Sequence, residues 1–244
     1  MTRRLLVLSV ALAAVSGCGG GTDRASGDFI ELPGIGETRI DVPRPTTGTS
    51  AVCTADPFPP ASNESIAERV AALRSVGLFA DRSDLDDAAL AAEVKAGIAD
   101  SWGDALEPDD PLLDLVVAEQ DHQRVWWQDL EADVAEGNEV YVQTLTSWAA
   151  ISVGAFEPEA ITENWASDEG PVTVAFSLGD DAHELAPAYL EDWIDPGVLA
   201  SINALMAPAG RRFELYKSFD QTAFVMALTD LERQALETRG WCFE

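Results

Sequence analysis

The chain has 244 residues, with 43 Asp and Glu against 15 Lys and Arg and a formal net charge of −28. So acidic a surface repels nucleic-acid phosphates and anionic lipid headgroups, which removes nucleic acid from the classes of partner. Lys95 and Lys217 are the only lysines, so arginine carries nearly all the positive charge. Acidic residues are scattered along the whole chain, which fits solubility, a salty habitat or a GC-rich genome better than a cation-binding or basic-partner surface.

At the start, Arg3 and Arg4 precede an apolar run from Leu5 to Val15. A spanning helix needs about 20 apolar residues, so this run is too short to cross a bilayer. Two arginines, a short apolar core and then small residues read instead as an export signal over residues 1–17. The sequence Val15-Ser16-Gly17-Cys18 resembles the lipobox of bacterial lipoproteins: an aliphatic residue, two small ones, then Cys. The resemblance covers only the first 18 residues. It implies cleavage before Cys18, lipidation of the Cys18 thiol, and a chain held on the outer side of a membrane by its acyl groups. Gly19 stands where lipoproteins retained in an inner membrane typically carry Asp, which favours an outer membrane if the cell has one.

Residues 18–60 follow as a tether rich in Gly, Pro and Thr. With Cys18 assigned to lipid, Cys53 and Cys242 remain. In an oxidising compartment such a pair is expected to form a disulfide, here closing nearly the whole globular part; two free thiols are the alternative.

Residues 61–244 are expected to form one globular domain. Ile66, Val70 and Leu73 predict a first helix, capped by Ser62 or Asn63 and stopped by Gly77. Leu90, Val94, Ile98 and Trp102 predict a second, capped by Ser83 with Asp84, Asp86 and Asp87 in its first turn. Leu112 to Glu119 fits strand or helix, and Val125-Trp126-Trp127 is equally ambiguous. Tyr141, Leu145, Trp148, Ala149 and Ser152 fit a helix face. Pro171 to Phe176 alternates into "SLGDDAHEL", a hairpin signal. Asp195-Pro196 opens a helix that Pro208 and Gly210 end. Phe213 to Phe219 and Ala223 to Leu228 predict a second hairpin. Thr229-Asp230-Leu231-Glu232 is a capping box for a last helix that Gly240 terminates. Hairpins alternating with helices give an α+β class: an antiparallel sheet with helices on one face.

Motifs that carry chemistry are sparse. His122 and His183 are the only histidines, and neither has a metal-ligand spacing, so no metal or cofactor is expected. Ala150-Ile151-Ser152-Val153-Gly154 resembles a variant of the α/β-hydrolase nucleophile elbow, with Asp168 or Asp181 and His183 in the order that fold uses. The parallel β-α alternation that fold requires is missing. Asp84, Asp86 and Asp87, like Glu107, Asp109 and Asp110, lack the Gly and distal Glu of a calcium loop. Trp126-Trp127 stands out, because neighbours on a strand point to opposite faces. One can serve the core while the other meets a glycan, peptide or partner. The expected function is thus a non-catalytic, membrane-anchored binding domain for an envelope protein or glycan. The alternative is an envelope hydrolase using carboxylates or a metal.

Overall fold

The computed structural model describes residues 62–103, 106–216 and 221–244. Cys18, Cys53 and the expected signal and tether, residues 1–60, lie outside the described residues. Among those described, six α-helices and six strands alternate in an α+β fold. The helices are α1 (Ile66–Ser75), α2 (Asp87–Trp102), α3 (Leu113–Glu119), α4 (Val140–Ile151), α5 (Val198–Met206) and α6 (Asp230–Thr238). The strands are β1 (Val125–Asp129), β2 (Glu159–Trp165), β3 (Val172–Leu178), β4 (Asp181–Leu185), β5 (Arg212–Leu215) and β6 (Thr222–Leu228).

Both expected hairpins form, β3 with β4 and β5 with β6, all antiparallel. They do not join into the one expected sheet. Each recruits a third strand, giving the orders β1-β6-β5 and β2-β3-β4. The reason lies in β6. Its run Ala223–Leu228 is buried throughout, the signature of a strand covered on both faces. Phe224, Met226 and Leu228 enter one core with α1, α2, α3 and α6. Ala223, Val225 and Ala227 enter a second core with α4, α5 and the other sheet. The β1-β6-β5 sheet is therefore a middle layer, packed on both faces where helices on one face were expected. The outer sheet is one-sided: Val172, Val174 and Phe176 alternate into the second core.

Local chemistry explains the helix ends. Ser65, rather than Ser62 or Asn63, caps α1, because Glu68 reaches back to complete a capping box. Asp86 takes the cap of α2 in place of Ser83, accepting from Ala89 N at 2.8 Å. The Thr229–Glu232 box opens α6 as expected. At α5, Asp195 ties down Gly197 N at 2.8 Å and the helix proper begins only at Val198. Helix α4 has no local side-chain cap; Glu163 of β2 supplies one from a distance, accepting from Tyr141 N at 2.6 Å and Val142 N at 3.2 Å. Strand β2 escapes sequence reading because Glu163 stands between Ile161 and Trp165 on its inward face, and a register shift between Glu159 and Thr162, with φ of 51° at Ala160, breaks its pairing.

All eight described arginines sit in ion pairs with carboxylates. Arg69 and Asp114 are the most deeply buried pair, and Asp114 also accepts from Arg239 at 3.3 Å and Trp241 Nε1 at 3.4 Å. Arg69 donates to the carbonyls of Ser62, Glu64 and Pro108, fastening the chain's entry and a loop to α1. A second node joins Arg124 and Arg211 to Glu232 and binds the carbonyls of Gly77 and Ala227.

Candidate functional site

Strand β1 is an edge strand, and beside it lies an open cleft of about 300 Å³. The end of α3 and the turn after it supply Glu119 and His122, β1 supplies Trp126, Trp127 and Gln128, and α4 supplies Ser147. The two tryptophans do point to opposite faces, and each face is packed. Trp126 is 9% exposed in the second core, edge-on to Trp148 with centroids 5.7 Å apart. Trp127 is half-buried against the helical core, 5.3 Å from Trp102 and 5.4 Å from Phe224. Its indole N–H donates to Thr222 Oγ1 at 2.9 Å. Both tryptophans border the cleft, while their rings are packed into separate cores.

Polar side chains line this cleft. Glu119 accepts from Trp102 Nε1 at 2.9 Å. Burial pushes its carboxyl above the usual range, while the Trp102 hydrogen bond and nearby His122 pull it back down. His122 is exposed and also lines a neighbouring cleft of about 150 Å³ with Asp81, Arg82 and Asp121. Asp121 is buried, accepts from Phe79 N, and is likewise pushed up by desolvation. The chemistry on offer is a hydrogen-bonding set of carboxyl, imidazole, amide and hydroxyl beside two tryptophans, suited to holding a polar ligand.

The other candidates fall to structural work. Ser152 is fully buried just past α4, donating to the Ala149 and Phe156 carbonyls at 2.8 and 3.0 Å and accepting from Phe156 N. A helix precedes it where a nucleophile elbow needs a strand. His183 lies on β4 opposite Phe176, rings 5.6 Å apart. Asp87 pairs with Arg74 and Asp110 accepts from Leu112 N at 2.8 Å, both ordinary loop and helix-end duties. Among the described residues, no three His, Cys, Asp or Glu side chains gather as a metal site. Cys242 is buried between Trp241 and Phe243, while Cys53 lies outside the described residues.

No family model, curated protein or solved structure matches this chain.

Sequence reading missed Glu119 and Ser147 as neighbours of the tryptophans, because they come from α3 and α4; Gln128, next to Trp127 on β1, was within reach of the strand itself. It also left Trp193 among the core anchors. Of the seven tryptophans, Trp193 alone is exposed.

Proposed function

We propose that this chain is an extracytoplasmic lipoprotein, anchored through lipid on Cys18, whose folded part binds an envelope protein or glycan at the cleft beside β1. The binding reading is carried by one observation: four kinds of hydrogen-bonding side chain line a single cleft bordered by two tryptophans. Trp127 and Trp126 are its contact residues, with His122 and Glu119 lining the same cleft. The anchor rests on the lipobox Val15-Ser16-Gly17-Cys18. Two or more acyl chains supply stable attachment, since each buried CH₂ contributes about 0.8 kcal/mol. The hydrolase alternative draws on Glu119 and His122 alone, and calls for turnover that Glu119→Gln abolishes.

The test uses the full chain made in a bacterium with a lipoprotein pathway. Radiolabelled palmitate should enter the wild type and not Cys18→Ser, which should leave the membrane fraction; label retained by Cys18→Ser sinks the anchor. A photo-crosslinking residue placed at exposed Gln128 should capture one discrete envelope component, and His122→Ala should lose it. A crosslinking pattern indifferent to His122→Ala removes the cleft as the binding site. We also propose the Cys53–Cys242 bridge, which predicts no reactive thiol at either position in the exported, unreduced protein.

A further inference from the structure

Residues 125–210 contain sixteen Asp and Glu and not one Lys or Arg. This stretch builds the second core and its outer sheet, while every described arginine lies outside it, paired. Negative charge on that side of the molecule has no basic side chain of its own segment to offset it.

Within it, Leu190 and Trp193 pair across a two-residue turn, Glu191-Asp192, closed by Trp193 N donating to Leu190 O at 3.3 Å. Trp193 pairs on its other side with Glu131. Directly paired residues put their side chains on one face of a ribbon, so Leu190, Trp193 and Glu131 share a face. The ribbon is held by Ala132 N to Asp192 O at 2.7 Å and Ile194 N to Leu130 O at 2.8 Å. Leu190 is nonetheless 44% exposed and Trp193 37% exposed. Tyr189 stands beside them, edge-on to Trp165 at 6.1 Å. Partial desolvation and then the charges of Glu169, Glu191, Asp192 and Asp168 hold its phenol above the ordinary range.

We propose that the Leu190–Trp193 face is a docking surface for a basic segment of a partner protein. Arg or Lys side chains of that segment lay their aliphatic stems on Leu190 and their cationic heads over the Trp193 ring, among Glu131, Glu191 and Asp192. Rigid aromatic and aliphatic anchors inside a charged rim are the usual anatomy of a protein interface, and the lobe's field raises the encounter rate with a cation. The same acids disfavour an anionic bilayer, which leaves protein as the partner. The surface shares no residue with the cleft beside β1 and does not require lipidation, so failure of either of those readings leaves this one standing.

The test measures binding of a fluorescent dodecapeptide of alternating Arg and Leu to the full chain in neutral detergent. Trp193→Ser and Leu190→Ser change no charge, and each should weaken binding about tenfold or more. Glu191→Lys with Asp192→Lys should weaken it as well. If the peptide binds well-folded Trp193→Ser as tightly as wild type, the attraction is general to an acidic molecule and the docking surface is wrong. Hydrogen exchange on the unaltered chain gives a readout free of folding effects. Added peptide should protect residues 187–195; protection confined to other segments overturns the proposal. So does uptake of the chain onto phosphatidylglycerol vesicles that Trp193→Ser abolishes, because the face would then serve a membrane.

Discussion

Asp114 shows how much can depend on one carboxylate. It is buried among Arg69, Arg239 and Trp241. Removing it would leave Arg69 charged and unpaired in the interior. We expect Asp114→Ala to cost about 3–5 kcal/mol of stability, read from urea denaturation, because an uncompensated buried charge is the expensive outcome. Two other carboxylates give stability opposite pH dependences. Burial holds the Asp121 carboxyl above its usual value. Between about pH 3.9, where an unfolded Asp titrates, and that higher value, the folded chain keeps a proton that the unfolded chain has released. The contribution of Asp121 is therefore fullest below that window and declines as pH rises through it. Asp121→Asn, which can still accept from Phe79 N, should remove this decline in melting temperature against pH. Glu232 runs the other way: burial alone would raise it, but hydrogen bonds from Arg211 and Thr229 and the charges of Arg124 and Arg211 hold it low. Its contribution is present above about pH 4.3 and lost as pH falls through the depressed value, so Glu232→Gln should flatten the acid limb.

Among the elements, α4 and α6 are capped in different ways. The cap of α6 was legible because Thr229 and Glu232 are three residues apart. Thr229→Ala should lower stability by about 1 kcal/mol in thermal melts. The cap of α4 could not be read from its own segment. Glu139, just before the helix, has φ of 53° and no capping hydrogen bond, and the acceptor is Glu163, a strand away. Glu163→Ala should cost about 1–2 kcal/mol and loosen the first turn of α4 in hydrogen exchange, since a charged acceptor is lost from two backbone donors. The same distinction runs through the strands. Hairpin β3–β4 was legible from its alternation and its Gly-Asp turn. The partners β1 and β2 were not, because joining a sheet as a third strand depends on which free edge the folded chain presents.

The whole molecule is shaped by where its few cations go. Arginines fasten helices and loops around the first core, while the lobe made by residues 125–210 has only acids. Self-repulsion of such a surface weakens as salt shortens the screening length from about 10 Å at 0.1 M to about 3 Å at 1 M. Melting temperature should rise with sodium chloride over that range, and a flat or falling curve would mean that repulsion does not limit stability. The amino-acid sequence alone determined what depends on neighbours along the chain: the α+β class, the helix periods, the hairpin turns, the Thr229–Glu232 capping box, and the lipobox pattern on which the proposed anchor rests. Only the tertiary structure decided that the central sheet is covered on both faces, and that Trp126 and Trp127 serve separate cores. It also decided that Glu119 and His122 meet those tryptophans at one cleft, and that Trp193 faces water. These outcomes depend on burial and on pairings between residues far apart in sequence. Periodicity shows that a face is apolar, but the surface that covers it is supplied by distant segments.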